Sequence, residues 1–302
     1  MLNVEHLSVN YGYITALTDI SFHVEEGEII TLIGSNGAGK STTMNIMCGV
    51  LRPTEGNVYI KGVSIRENPV EAKRHIGFLP QTPPLHPDLT VTEYLEYCAG
   101  LRHVPDSEIS TAVKAVMGKC GISHFNKRLI RNLSGGYQQR VGIAQAIIHN
   151  PEFVVLDEPT NGLDPNQIVE IRHLIKEIAE DRTVVLSTHI LSEVQATCDY
   201  IRMIEQGNLV FAGTVDEFDN YIIPNTLVVT LVAAPPVEEL RSIPGVSGAE
   251  ELGGMKYRLQ YTDFQEVTER LVETSVTRGW RLTEVYQEKS SLDAVFAELS
   301  KK

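Results

Sequence analysis

Two glycine-rich stretches carry the groups most able to do chemistry. Residues 34–42 read GSNGAGKST and fit the pattern GxxxxGK[ST] in full. Gly34, Gly37 and Gly39 let a backbone wrap closely round phosphates, with Ser35, Asn36, Ala38 and Thr42 completing the loop. Lys40 is placed to bridge outer phosphates, and the Ser41 hydroxyl to ligate Mg²⁺. The plainer alternative, a glycine turn with an incidental lysine, does not explain the apolar strand before it and the helix after it. Residues 133–146, LSGGYQQRVGIAQA, place Ser134, Gly135 and Gly136 ahead of an apolar helical run. That is a second place where helix-start N–H groups can meet an anion. A capped helix with Ser134 as N-cap accounts for the serine but not for the paired glycines.

A phosphate loop that works on a nucleotide needs a carboxylate on a neighbouring strand. Residues 153–158, FVVLDE, supply four apolar residues and then two acids. Asp157 at the strand end can reach a metal, directly or through water. Glu158, one position on, points elsewhere and can polarise an attacking water as general base. A solvated turn or a helix cap is the alternative use for paired acids at a strand end. A third strand, RTVVLSTH, ends in His189.

The elements that must position these groups follow from periodicity. LNVEHLSVN and ISFHVEEGEIITLIG read as strands, the second ending at 29–33 in a run apolar on both faces, as a buried parallel strand is. A helix begins near Ser41. Residues from about 83 to 150 read helical, with Thr90 or Thr92 as the N-cap of TVTEYLEYCAGL and a further helix after Pro105. Then come the strand PEFVVLDEP, the helix DPNQIVEIRHLIKEIAE and the strand RTVVLSTH, an α/β sheet with an inserted helical region. Near 221–226 the pattern changes. Strands at 227–234, 246–252, 255–261 and 280–287, helices at 236–242 and 263–278, and a last helix at 291–299 give a βαββαβ order and a small α+β, ferredoxin-like domain. In its hairpin Met255, Tyr257, Leu259 and Tyr261 alternate with Lys256, Arg258 and Gln260, so one face is expected to be buried.

Composition narrows the function class. The 302 residues carry a formal net charge of −13, which weighs against a nucleic-acid partner. Cys48, Cys98, Cys120 and Cys198 are far apart with no CxxC, which fits reduced thiols rather than a zinc site or a disulfide framework. No apolar run reaches membrane-spanning length and the N-terminus lacks a signal-peptide pattern, so the expectation is a cytoplasmic chain whose membrane spans, if it uses any, lie in another chain.

The loop at 34–42, LSGGYQQR, LDEPTNGLDP and the histidine of VVLSTH together resemble the ATP-binding-cassette (ABC) ATPases over roughly residues 1–220. LSGGYQQR is the most discriminating part. The resemblance implies a RecA-like core plus helical subdomain (about 83–150), followed by the accessory domain at 221–302. It implies ATP and Mg²⁺ as ligands and a head-to-tail dimer of two ATPase chains. Each ATP then lies between one chain's phosphate loop and the LSGG segment of the other, with Ser134, Gly135, Gly136 and Gln138 as nucleotide contacts. Tyr11 resembles the aromatic that stacks on adenine, with Tyr13 its near competitor and a core tyrosine the alternative. Gln81 resembles the glutamine that touches Mg²⁺ beside Ser41 and Asp157 and relays nucleotide state to the membrane partner. Asp164 resembles a loop aspartate that crosses the dimer interface. His189 resembles the histidine that contacts the γ-phosphate, and Glu158 the catalytic base. One departure is Ser35, where many family exporters carry proline.

The same resemblance implies an ATPase subunit at the cytoplasmic face of the cell membrane, working with separate integral-membrane permease subunits. The C-terminal appendage and TNGLDP favour the exporter group, which serves drugs, antibiotics, lipids, polysaccharides and gliding-type systems. An amino-acid-type importer ATPase, or a soluble ABC ATPase without a transport role, are the competing expectations.

Overall fold

The computed structural model describes every residue except 223, 224, 234, 289–291 and 302, and omits the side chains of 292 and 293. The chain divides into two compact units, residues 1–215 with 298–302, and residues 216–297.

The first unit opens on the antiparallel hairpin β1 (Leu2–Tyr11) and β2 (Ile14–Val24), followed by β3 (Ile29–Ile33) and α1 (Lys40–Met47). The run 14–33 is therefore two strands in separate sheets. The next four elements all lie where the sequence reading assigns none: β4 (Glu55–Ile60), the two-residue β5 (Val63–Ser64), α2 (Pro69–Arg74) and β6 (Ile76–Leu79). The helical insertion holds α3 (Val91–Leu101), α4 (Asp106–Lys119) and α5 (Gly135–Ile147); its first helix starts after Thr90, one of the two expected caps, and residues 83–90 lead into it without helix. Thr90 caps α3: its hydroxyl accepts from Glu93 N–H while the Glu93 carboxylate reaches back to Thr90 N–H. The unit continues through β7 (Phe153–Asp157), α6 (Pro165–Ala179), β8 (Thr183–Ser187), α7 (Leu191–Thr197), β9 (Tyr200–Glu205) and β10 (Asn208–Thr214).

Two sheets form. One runs β2-β1-β4-β5 and is antiparallel. The other runs β10-β9-β3-β8-β7-β6, parallel except for the β10 edge. All five residues of β3, β7 and β8 are buried, as expected of parallel strands covered on both faces. A shared core joins Leu7, Leu17 and Ile20 of the first sheet to Leu32, Val155 and Val185 of the second and to Met44 and Met47 of α1. The four cysteines are buried and unbonded, and burial pushes the Cys120 and Cys198 thiols up to about 12, so they stay protonated.

The second unit contains β11 (Thr226–Leu231), α9 (Val237–Arg241), β12 (Val246–Gly253), β13 (Lys256–Tyr261), α10 (Phe264–Arg278) and β14 (Leu282–Gln287); α8 (Val215–Asp219) lies at the division and α11 (Leu292–Leu299) ends the chain. Its sheet order, β12-β13-β11-β14, is antiparallel throughout and is the ferredoxin-like order. Tyr257, Leu259 and Tyr261 are buried against Val267 and Leu271 of α10, as the alternation requires. Met255 departs from it: with φ 68° it sits in the turn, 51% exposed, and the strand starts at Lys256. The expected first strand stops at Leu231, and its far end at 234, like the start of the last helix at 291, lies outside the described residues.

Gly77 lets α5 approach the parallel sheet. A Cβ there would stand 2.1 Å from the Ala146 carbonyl oxygen, a backbone atom that cannot swing aside. Gly100, exposed in α3, has nothing within 4 Å. Gly77→Ala is expected to destabilise the first unit by about 1–3 kcal/mol through overpacking, whereas Gly100→Ala should stabilise it by about 0.5–1 kcal/mol. Denaturant unfolding of both variants checks this, and equal effects would refute the close-approach explanation.

Candidate functional site

The C-terminal ends of adjacent parallel strands deliver the site. β3 ends at Ile33 and turns through residues 34–39 into α1. At Gly34 a Cβ would lie 2.0 Å from Ile204 O, so the loop backbone is pressed against β9. Gly39, at φ 115°, is the N-cap of α1 and offers no capping side chain, which leaves the first helical amides to an anion. The loop is also held from outside. Ser35 donates its N–H and Oγ–H to the Glu205 carboxylate at 3.1 and 2.5 Å, and Gly207 N–H donates to Ala38 O at 3.0 Å.

Lys40 is buried, and its Nζ donates to Gly34 O at 2.8 Å and Ser35 O at 3.0 Å. Burial lowers its pKa, and the carboxylates of Glu158, Asp157 and Glu205 oppose that shift. The ammonium is thereby aimed along the loop, where an entering phosphate can draw on it.

The acids are fixed by the next strand. In the parallel register Asp157 of β7 stands beside Ser187 of β8. Ser187 Oγ donates to Asp157 Oδ1 at 2.5 Å and accepts from Glu158 N–H at 2.9 Å. Glu158 itself has φ 48°, a left-handed conformation costing roughly 1–3 kcal/mol for a non-glycine residue, tightened by a turn from Asn161 N–H to Glu158 O. That backbone twist is what sends consecutive acids in different directions. Glu158 Oε2 accepts from Gln81 Nε2 at 3.3 Å, and His189 Nδ1 lies 3.3 Å from Glu158 Oε1. The Glu158 side chain is 12% exposed and that of His189 51%, so the pair stands at the border between core and solvent.

A cavity of about 220 Å³ collects these groups: Asn36, Lys40, Ser41, Thr42, Gln81 and Glu158 all line it, with Gly37 and Gly39 in its backbone wall. Ser41 Oγ, the Asp157 carboxylate and Gln81 Oε1 are hard oxygen donors of the kind Mg²⁺ accepts alongside phosphate oxygens. Gln81 keeps Oε1 free for that use because its Nε2 is turned to Glu158.

The second glycine motif does not join this cavity. Ser134 occupies the N-cap position of α5 without a side-chain capping bond, and Ser134 and Gly135 are exposed. Gly136 is buried because the Gln167 amide lies where a Cβ would go, 2.6 Å away. Gln138 turns inward, Nε2 donating to Leu133 O at 3.1 Å and Ile130 O at 3.3 Å, so it braces the loop that carries the motif. Asp164 caps α6, accepting from the N–H groups of Asn166 and Gln167 at 3.0 Å each. Gly136, Asp164 and Gln167 line a separate cavity of about 260 Å³, and Arg140 of α5 bonds Glu170 of α6 across it at 2.7 Å. Tyr11, at the end of β1, is 50% exposed and Tyr13 fully exposed, which removes the core-tyrosine alternative. Neither lines the phosphate-loop cavity among the described residues.

Sequence reasoning missed the supports: Ser187, Glu205, Gln167 and the buried Glu193, which binds Thr160 and Thr188. Ser187 had a readable signal, a small polar residue ending an apolar strand. Glu205 had none, because its partner Ser35 lies 170 positions away.

A family model for the ABC transporter matches residues 17–161. An ABC transporter ATP-binding protein of Bacillus subtilis is 30% identical over 300 residues, 99% of this chain and 99% of its own length, so the likeness includes the second unit. A lantibiotic transport ATP-binding protein of Streptococcus pyogenes is 35% identical over 73% of this chain and 93% of its own length. A bacitracin transport ATP-binding protein of Bacillus licheniformis is 36% identical over 70% of this chain and 68% of its own. Among solved structures, the ATP-binding subunit of an ABC transporter superposes with TM-score 0.67 at 30% identity, covering 73% of this chain and 92% of that one. A dimeric ATP-binding cassette in a post-hydrolysis state, bound to ADP and Pi, superposes with TM-score 0.65 at 28% identity over 71% of this chain and 99% of that one. With a phosphate loop, a strand-end acid pair and an LSGG helix on one scaffold, and relatives matched from end to end, the chain belongs to the ABC transporter family as an ATP-binding, ATP-hydrolysing subunit.

Proposed function

We propose that this subunit powers export through separate integral-membrane permease chains, at the cytoplasmic face of the cell membrane, and that its working form is a head-to-tail dimer with a second ATPase chain, most simply another copy of itself. The observation that supports the dimer is the division of labour just described: one cavity gathers the phosphate loop, Gln81 and Glu158, while Ser134, Gly135 and Gly136 stand apart from it beside Asp164. An anion-binding helix start with Ser134 and Gly135 exposed has no phosphate of its own chain to meet. Export is supported by relatives that are ATP-binding proteins of lantibiotic and bacitracin transport and of linearmycin resistance. An amphipathic antimicrobial or a lipid-like molecule is the cargo class those roles favour. No helix among the described residues is long and apolar enough to cross a membrane.

The residue roles follow. The amides of residues 35–41 and Lys40 bind the phosphates of ATP, and Tyr11 stacks on the adenine. Ser41, Asp157 and Gln81 would hold Mg²⁺, which when bound neutralises charge on the outer phosphates. Glu158 accepts the proton of the attacking water, and His189 orients Glu158 and the γ-phosphate. Ser134, Gly135 and Gly136 close the site from the second chain, with Asp164 at the same interface.

Glu158→Gln keeps the shape of the side chain but removes the base. ATP turnover should fall by roughly two to four orders of magnitude, while ATP-dependent dimers persist in size-exclusion chromatography; normal turnover would remove Glu158 from the role of base. Ser134→Arg should leave ATP binding by the monomer within about twofold of wild type and abolish nucleotide-driven dimerisation and hydrolysis. Dimers and turnover that survive this change would break the shared-site model. Affinity purification from membranes tests the transport assignment: a multi-span protein should co-purify, and recovery with ribosomes or DNA alone would refute it.

A further inference from the structure

We infer that Glu193 is a positioning residue for hydrolysis, a buried carboxylate that holds the Glu158 and His189 loops in one register. The inference rests on the assignment of Glu158 and His189 to catalysis.

Glu193 lies in the first turn of α7 and is 4% exposed. Its Oε2 accepts two hydroxyl hydrogen bonds, from Thr160 Oγ1 at 2.9 Å and from Thr188 Oγ1 at 2.8 Å. Thr160 is two residues beyond Glu158, and Thr188 immediately precedes His189. A single oxygen therefore ties the loop after β7 to the loop after β8. Thr188 Oγ1 also accepts from Ile190 N–H at 3.1 Å, so both neighbours of His189 are held. Both threonines are buried.

A carboxylate is an expensive group to bury, but its charge makes it a stronger acceptor for the two hydroxyls than a neutral amide oxygen would be. Its charge has one further counterpart. Arg172 of α6 approaches Glu193 Oε1 at 3.7 Å, while Oε1 itself and Arg172 Nε have no hydrogen-bond partner. This is a loose ion pair in a buried setting, able to tighten if α6 moves toward α7. α6 is the helix capped by Asp164. A displacement of α6 at its capped end would be carried by Arg172 to Glu193, and by Glu193 to the two loops whose 3.3 Å contact joins Glu158 to His189. Among the described residues, the Glu158 and His189 side chains are joined by that long contact and the Glu158 carboxylate also by the Gln81 bond, so the geometry of the pair depends on how their loops are pinned.

Steady-state hydrolysis by the full-length chain over a range of MgATP concentrations separates kcat from KM. Glu193→Gln, and separately Thr160→Val with Thr188→Val, should each lower kcat about tenfold and leave KM within about twofold, because the clasp serves the reaction and not nucleotide capture. Combined, the two changes should cost little more than either alone. A combined loss equal to the product of the separate losses would overturn the clasp, as would a rise in KM with kcat unchanged. The threonine pair keeps the claim testable should Glu193→Gln fail to fold. His189→Ala separates the two layers. If it hydrolyses ATP like wild type, the site assignment fails whatever Glu193 does. If it is slow and Glu193→Gln slows it a further tenfold, Glu193 does not act through the pair and the inference is overturned.

Discussion

The 2.5 Å hydrogen bond from Ser187 Oγ to Asp157 Oδ1 sits where the site's central conflict must be resolved. An enzyme that hydrolyses a polyanion has to keep carboxylates beside it, one for the metal and one for the water. Here Asp157, Glu158 and Glu205 crowd the same buried lysine. Unpaired, they would repel the nucleotide and each other. Each is therefore committed to donors before any phosphate arrives: Asp157 to Ser187, Glu158 to Gln81, and Glu205 to the Ser35 amide and hydroxyl. The parallel register that sets residue 157 opposite 187 makes the first of these possible, and the left-handed turn at Glu158 keeps the second acid out of the first one's place.

The phosphate loop obeys the same constraint. Its lysine is buried and desolvated, its ammonium is spent on the loop's own carbonyls, and its backbone is clamped to β9 through Gly34 and Ser35. A preorganised loop of this kind gives up little conformational entropy when it closes on phosphates, because most of its ordering is a cost of folding. Ser35, the departure from the proline of many exporters, supplies the two donors that neutralise Glu205. A proline here would offer neither the N–H nor the hydroxyl, so the residues at 35 and 205 must be considered together.

Much of this was legible in the sequence, and the boundary between what was and was not has a physical basis. Local chemistry reads well: the glycine loop, the apolar strands ending in Asp157 and Ser187, the Thr90–Glu93 capping box and the alternation of Tyr257, Leu259 and Tyr261 all depend on neighbours a few positions away. β4, β5, α2, β6, β9 and β10 did not read well, because each is seven residues or shorter and carries no motif of its own, so that its form is set by tertiary packing, even in β9, which is buried between β10 and β3. Met255 departs for a related reason: the turn extends one residue past its two glycines, with positive φ at Gly253, Gly254 and Met255, so the strand's alternation begins only at Lys256. Among the site residues, those that touch nucleotide in the family pattern were named from the sequence, and those that hold them were not. Glu193, Gln167 and Glu205 act across gaps that only the fold closes.

The placement of the LSGG helix turns the same logic outward. α5 lies against the sheet because Gly77 lacks a side chain, and it meets α6 through the Gly136–Gln167 contact and the Arg140–Glu170 ion pair. α6 in turn starts at Asp164 and carries Arg172 toward Glu193. In the proposed dimer Ser134 and Asp164 would both face the second chain. Among the described residues α6 joins the Glu158 loop through the chain itself, tightened by Leu163 N–H to Thr160 O at 3.3 Å, and reaches the His189 loop through Arg172 and Glu193. In the proposed dimer, assembly and chemistry would then be linked by packing: a second chain pressing on Ser134 would also press on α6, and through it on the loop that carries Glu158.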